Sequence, residues 1–206
     1  MRNLALDTPE NRKILIEDNN LPALEHDGQF HISSEATSEY NCIAWAMGFN
    51  DRWVDHLPGD GKNLKKWWPE RVPRDFHPVC LIKAFESVGF ECCADDSPED
   101  GYEKVALFKM EPFLLRIDPY TVLEIPVAWT HAAKVIDQNT YHSKMGPLFD
   151  IYHGSGNVLQ SSYGTIYQFM RRKVEDKKII DQIIAKELGI SIPSTIVEDI
   201  IAKLDI

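Results

Sequence analysis

The sequence predicts an α+β fold in which a short helix carrying Cys42 packs on an antiparallel sheet, with a helical hairpin at the C-terminus. Three observations predict it: a capped helix pattern ending at Gly48, short apolar runs separated by turn residues, and isoleucines at helical spacing late in the chain. We therefore divide the chain into an α+β domain over residues 1–173 and a helical hairpin over residues 174–206. A chain of 206 residues is long enough to bury a core without disulfides or metal ions.

Composition and charge argue against several classes of function. The net charge of −10 predicts an acidic surface that repels phosphate backbones, so nucleic acid is not an expected partner. No apolar stretch is long enough to span a bilayer and residues 1–7 have no signal-peptide core, which predicts a cytoplasmic protein without membrane contact. The chain has no C-x-x-C pair, and its histidines do not fall at metal-ligand spacing with its cysteines, so we expect no metal and no cofactor. Four cysteines are expected to be reduced thiols: Cys42, Cys80, Cys92 and Cys93.

The helix that begins at Cys42 carries the most informative residue of the chain. Asn41 is a suitable N-cap, the residues from Ala44 to Met47 favour helix, and Gly48 suits the position just past the C-terminus. The Cys42 sulfur would then lie at a helix N-terminus, where unpaired amides and the helix dipole favour thiolate over thiol.

The segments around this helix are less regular. Residues 1–36 are polar and irregular, and residues 49–76 form a loop-rich segment that contains the adjacent Trp67 and Trp68. Two adjacent tryptophans cannot both face one core, so one of them could line a groove and contact substrate. Alternatively, both simply cover the helix.

A helix and a series of strands follow. Three prolines (Pro112, Pro119 and Pro126) mark residues 110–128 as an inserted excursion or an edge hairpin rather than central sheet. The other predicted elements are a helix from Pro78 to Gly89, strands at 90–94 and 104–109, a hairpin of 127–136 with 140–145, and a last strand at 163–170.

Residues 174–206 carry two apolar stripes at helical spacing. The first stripe ends at Gly189 and the second follows Pro193. Such stripes usually pack on the parent domain, but they could also dock a partner protein or form a homodimer. The stripes consist of Ile179, Ile180, Ile183, Ile184 and Leu188, and of Ile196, Val197, Ile200, Ile201 and Leu204.

Cys42 and His131 suggest nucleophilic catalysis. His131 opens a predicted strand, and a cysteine at a helix start followed by a distant strand histidine is the order that papain-like cysteine enzymes use. Such chemistry also needs a polar group that orients the imidazole. We favour Asp150, the only carboxylate close by, with His142 and His153 as rivals.

Other interpretations of these residues stay open. Cys42 could be a small buried hydrophobic residue and His131 a hydrogen-bonded strand histidine. An oxyanion would be met by the Cys42 backbone N–H and one side-chain amide or indole, and Asn41 is the nearest amide. The same side chain is equally well explained as a helix cap. In the catalytic interpretation, Asn41, Trp67 and Trp68 bind the substrate.

Several motifs place this chain beside a known group of sequences. They are Asn41-Cys42-Ile43-Ala44-Trp45-Ala46, Trp67-Trp68-Pro69, Gly101-Tyr102-Glu103-Lys104-Val105-Ala106-Leu107-Phe108, Thr130-His131-Ala132-Ala133, Ser143-Lys144-Met145-Gly146, and Asp150-Ile151 with His153. Together they resemble a family of uncharacterised bacterial proteins of unknown function, whose motif order resembles that of papain-like cysteine hydrolases. The resemblance covers residues 40–171 and implies a papain-like core and a site at Cys42 and His131. It implies no substrate.

Two classes of function therefore remain. The first is a cysteine hydrolase or acyltransferase that acts on an amide, isopeptide or thioester bond of a protein or peptide-like substrate. The second is a non-catalytic binding or immunity-type module in which Cys42 is a packing residue. A Cys42 sulfur within hydrogen-bonding reach of a His131 ring nitrogen would favour the first class, and separation of the two would favour the second.

Overall fold

The chain folds around a seven-stranded antiparallel sheet with few helices, which confirms the predicted α+β class. A computed structural model describes residues 5–57, 66–116, 118 and 120–175. The strand order in the sheet is β1-β10-β9-β8-β5-β11-β4, and two further pairs of strands, β2 with β3 and β6 with β7, lie outside it. The strands are β1 (His31–Ile32), β2 (Trp53–Val54), β3 (Lys66–Trp67), β4 (Glu91–Cys93), β5 (Tyr102–Met110), β6 (Phe113–Arg116), β7 (Val122–Ile125), β8 (Ala128–Asp137), β9 (Thr140–Lys144), β10 (Asp150–His153) and β11 (Thr165–Lys173).

The helices are short and lie before, between and after the strands. They are α1 (Pro9–Lys13), α2 (Cys42–Met47), α3 (Pro78–Glu86) and α4 (Gln160–Tyr163). A π-helical turn spans Ile14–Asp18, and 3₁₀ turns span Pro22–His26 and Gly156–Leu159. The segment before residue 36, which the sequence predicted to be irregular, therefore contains short helical turns.

Helix α2 forms as its local sequence predicts. The Asn41 Oδ1 accepts a hydrogen bond of 3.0 Å from the Ala44 N–H, which caps the N-terminus. Gly48 has a φ of 97° and ends the helix in the left-handed conformation that glycine adopts without steric cost. Helix α3 begins at Pro78, also as predicted.

The sheet separates two hydrophobic clusters. Successive residues of a strand point to opposite faces, so Val105 and Leu107 of β5 join the cluster around α2 and α3, whereas Ala106 and Phe108 join the cluster on the other side. We call these the helix face and the N-terminal face, because the second cluster contains Leu15, Leu21 and Leu24. This division determines which of the candidate site residues lie on the same face of the sheet.

Two predicted elements differ from the structure or lie outside it. The last strand starts at Thr165 instead of residue 163, because α4 continues to Tyr163 and the chain turns at Gly164, whose φ is 74°. Residues 110–128 contain the separate β6–β7 hairpin, as the prolines predicted.

The C-terminal hairpin predicted for residues 174–206 lies outside the described residues from 176 onward. No helix in the described part of the chain is long and apolar enough to cross a membrane.

Candidate functional site

Cys42 is the first residue of α2 and packs in the helix-face cluster. Its sulfur is approached by the backbone N–H groups of Ala132, Ile43 and Cys42 itself, with the charge of Lys144 nearby. These groups favour the thiolate, but the residue is only 9 % exposed, and burial outweighs them and raises the pKa of the Cys42 thiol to about 11. The helix N-terminus alone predicted a lowered pKa, and that expectation is wrong: the group is a thiol at neutral pH.

His131 points to the other face of the sheet. It lies opposite Phe108 in the register of β8 with β5, and directly opposed residues share a face. Phe108 belongs to the N-terminal-face cluster, and the His131 ring packs edge-on against it at a centroid distance of 5.3 Å. Within the described residues, no hydrogen bond joins the Cys42 sulfur to His131. The structure therefore does not bring the two residues of the predicted dyad together, and a catalytic role for them stays a prediction.

His131 instead belongs to a buried chain of three polar side chains. The Ser143 Oγ lies 3.0 Å from the His131 Nε2 and 2.8 Å from the His153 Nε2. The His153 Nδ1 lies 3.0 Å from the Gly154 carbonyl oxygen, which can only accept, so this nitrogen carries the proton. All three side chains are fully buried.

The proton positions in this buried chain of three side chains follow from the Gly154 carbonyl group. A neutral His153 with a protonated Nδ1 accepts at Nε2, so the Ser143 hydroxyl donates to it. The Ser143 oxygen then accepts from a protonated His131 Nε2. The His131 Nδ1 is left as a buried acceptor that has no hydrogen-bond partner among the described residues.

Both histidines are neutral at physiological pH. Burial lowers the pKa of His131 to about 3, with a further contribution from His153. Burial likewise lowers the pKa of His153 to about 4. A histidine that is neutral, fully buried and bonded to a core serine is placed to hold strands β8, β9 and β10 together.

Asp150 lies on the helix face with Cys42 and not beside His131. It opens β10 opposite Lys144, and its Oδ2 accepts a hydrogen bond of 2.8 Å from the Tyr40 hydroxyl. Its Oδ1 lies 3.8 Å from the Lys144 Nζ. Burial raises the pKa of Asp150, whereas Tyr40 and Lys144 act to lower it. The structure thus separates the favoured orienting residue from the histidine that it was expected to orient.

The two rivals for the third position are also separated from each other. His142 packs edge-on against Trp45 of α2 at 5.1 Å between ring centroids, which places it on the helix face. His153 lies in the buried chain with His131. Neither position therefore joins a Cys42–His131 pair.

The three predicted substrate-binding residues have structural partners. The Asn41 Nδ2 donates to the Val54 carbonyl at 2.9 Å, so this amide is occupied as well as capping α2. Trp68 is buried, and its Nε1 donates to the Val72 carbonyl at 3.1 Å. Trp67 packs edge-on against Phe49. Both tryptophans contact the cluster around α2, which was the alternative interpretation of this pair.

Lys144 is the residue that sequence reasoning missed. Its side chain is fully buried, with Nζ donating to the Leu148 carbonyl and lying over the Tyr40 ring at 5.2 Å. Burial lowers its pKa, while Asp150 and Cys42 act to raise it. The available signal was the alternation of β9, which places Lys144 and His142 on one face and Ser143 on the other. Among the described residues, no group of side chains could hold a metal ion.

Comparison with known proteins identifies the family. A family model described as a domain of unknown function, DUF7689, matches residues 31–171. The chain belongs to this family. The expectation of an uncharacterised family is thereby confirmed, and all the site residues discussed above lie within the matched range. No curated protein and no solved structure matches the chain.

Proposed function

We propose that this DUF7689 protein is a non-catalytic, protein-binding module in which Cys42 and His131 are core residues. The observation that carries the proposal is the separation of these two residues onto opposite faces of the sheet. With His131 on the other face, a buried thiol whose pKa is raised to about 11 lacks the histidine base that this dyad would use to form the thiolate for acyl transfer.

The β6–β7 hairpin offers a surface for a partner protein. It forms a two-stranded sheet outside the main sheet, and it exposes large apolar side chains. Leu114 is 71 % exposed, and Val122 and Leu123 are also exposed. Leu114 and Val122 share one face of this two-stranded sheet and Leu123 lies on the other, and exposed apolar side chains of this kind are typical of contact surfaces between proteins.

Cysteine-dependent acyl transfer is the second candidate, and one observation favours it. Three backbone N–H groups converge on the Cys42 sulfur, and the buried Lys144–Asp150 pair lies on the same face. In this alternative, a papain-like enzyme would use Lys144 in place of His131 as the polar partner of Cys42. The substrate would be an amide, isopeptide or thioester.

Labelling with cysteine-reactive acyl probes separates the two candidates. The purified protein is treated with a panel of such probes and its intact mass and modified peptides are recorded, with the Cys42→Ala and Lys144→Met variants in parallel. Cys92, which is exposed, serves as the internal control for thiol reactivity. The binding module predicts acylation of Cys92 without acylation of Cys42. A stoichiometric acyl adduct on Cys42 that disappears in Lys144→Met would overturn the proposal in favour of the enzyme.

A further inference from the structure

The β6–β7 hairpin has one face made of apolar side chains. In its register Phe113 lies opposite Ile125, and Leu123 is two positions from Ile125 along β7, so these three residues share a face. Phe113 is 40 % exposed and Leu123 is 48 % exposed. We call this surface the Phe113 face. The opposite face is mixed in character, because it carries the cross-strand pair of Leu114 and Glu124 together with Val122, which is 48 % exposed.

The Phe113 face would be stabilised by packing against another element, because Phe113 and Leu123 are exposed on it. A two-stranded hairpin is marginal in water by itself, and at least one further layer is needed for stability. Its sheet contains only β6 and β7 in the part of the chain that the structure describes. Removing the exposed apolar surface of Phe113 and Leu123 from water is favourable, so an element that completes the burial of these two side chains is favoured.

The sequence outside the described residues contains a second apolar surface that could cover this face. The second C-terminal stripe (Ile196, Val197, Ile200, Ile201 and Leu204) follows Pro193, and its spacing predicts an amphipathic helix. A short apolar helical stripe and a flat apolar two-stranded face are the two layers that small α+β units combine.

The connecting segment is long enough for the two surfaces to meet. Strand β11 ends beside Tyr102, and β5 then runs from Tyr102 to Met110 before the hairpin begins, a distance of roughly 26 Å at about 3.3 Å per residue. A helix over the first stripe, from Ile179 to Leu188, would span about 15 Å at 1.5 Å per residue. Residues 189–193 would add up to about 16 Å if extended. Together these lengths exceed the distance to the hairpin, so the second stripe is able to reach it.

We infer that residues 194–206 dock their apolar stripe on the Phe113 face of the same chain. Docking within one chain is favoured over docking between chains because the tether holds the two surfaces at an effective concentration of about millimolar. The net charge of −10 further opposes association of two copies. This inference does not rest on the proposed function, since the face needs cover in either case; a partner protein would bind by displacing the stripe.

Photocrosslinking from the two faces of the hairpin tests the inference. Leu123→p-benzoylphenylalanine places the probe on the Phe113 face, and Leu114→p-benzoylphenylalanine places the same probe on the opposite face as the matched control. After irradiation of the full chain, we expect the Leu123 probe to crosslink to peptides from residues 194–206 in the monomeric fraction. The Leu114 probe should crosslink to them far less. Equal crosslinking from both positions, no crosslink to these peptides, or a crosslink confined to a covalent dimer would each overturn docking within one chain.

Tryptic cleavage after Lys203 provides a second, independent measurement. The Phe113→Ser variant should raise the rate of this cleavage by roughly tenfold, because cleavage follows the population of the undocked stripe. Tyr120→Ser is the control, since Tyr120 is 97 % exposed in the loop of the same hairpin. Unchanged cleavage in Phe113→Ser, or an equal rise in Tyr120→Ser, would contradict the inference. Neither result bears on acylation of Cys42, so the two proposals fail separately.

Discussion

Ser143→Ala should be among the most destabilising single substitutions in the protein. The Ser143 hydroxyl links His131 to His153, at 3.0 Å and 2.8 Å from their Nε2 atoms. Its removal leaves a buried donor on His131 and a buried acceptor on His153 without partners. Each unsatisfied buried group costs about 1–3 kcal/mol, so the loss in the free energy of unfolding should be about 2–6 kcal/mol.

Equilibrium unfolding in urea, followed by tryptophan fluorescence, measures this loss. A change in the midpoint with an unchanged slope reports stability alone. Ser161→Ala is the matched control, because its exposed Oγ donates one bond to the Asn20 carbonyl and the substitution should change stability by less than about 0.5 kcal/mol. If Ser143→Ala behaved like the control, the two histidines would not depend on Ser143, and the buried chain would have no structural role.

Three further predictions concern the titratable groups. Because His131 and His153 titrate near pH 3 and 4 when folded but near 6.5 when unfolded, the unfolded state binds more protons in between. The contribution of the two histidines to the free energy of unfolding should be complete above about pH 6.5 and should fall below that pH by up to about 1.4 kcal/mol per pH unit for each histidine. Urea midpoints at several pH values measure this fall. Asp150, whose pKa is raised, partly opposes it. Exposed Cys92 should alkylate with iodoacetamide before buried Cys42 in a mapped time course, and a faster Cys42 would contradict the thiol described here. In ¹⁵N NMR, His153 should carry its proton on Nδ1 and His131 on Nε2, and the reverse tautomers would refute the deduced direction of the hydrogen bonds.

Local signals in the sequence were sufficient for several elements. The N-cap Asn41, the C-terminal Gly48 and the helix-starting Pro78 act on their own or adjacent backbone groups, so their effect can be predicted without the rest of the fold. The three prolines of residues 110–128 predicted an excursion or an edge hairpin instead of central sheet by the same kind of local argument, and the structure has a separate hairpin there. The acidic composition and the family motifs were likewise readable from the chain alone.

The candidate site could not be assembled in the same way, because it depends on which face of a strand each residue occupies. Alternation predicts that His131 and Ala132 point to opposite sides, but only the pairing of β8 with β5 shows that α2 covers the side of Ala132. A change of one residue in that register would have placed His131 on the same face of the sheet as Cys42.

The sequence by itself determined the α+β class, the capped helix that carries Cys42, the exclusion of residues 110–128 from the central sheet, and membership of an uncharacterised family. Only the tertiary structure decided that Cys42 is a buried thiol, that His131 bonds to Ser143, and that Lys144 and Asp150 share the face of Cys42. The physical reason is that caps and turns involve neighbouring residues, whereas burial and facing arise from contacts between segments far apart in the chain. The pKa of a thiol at a helix N-terminus can therefore move in either direction, and here desolvation outweighs the helix.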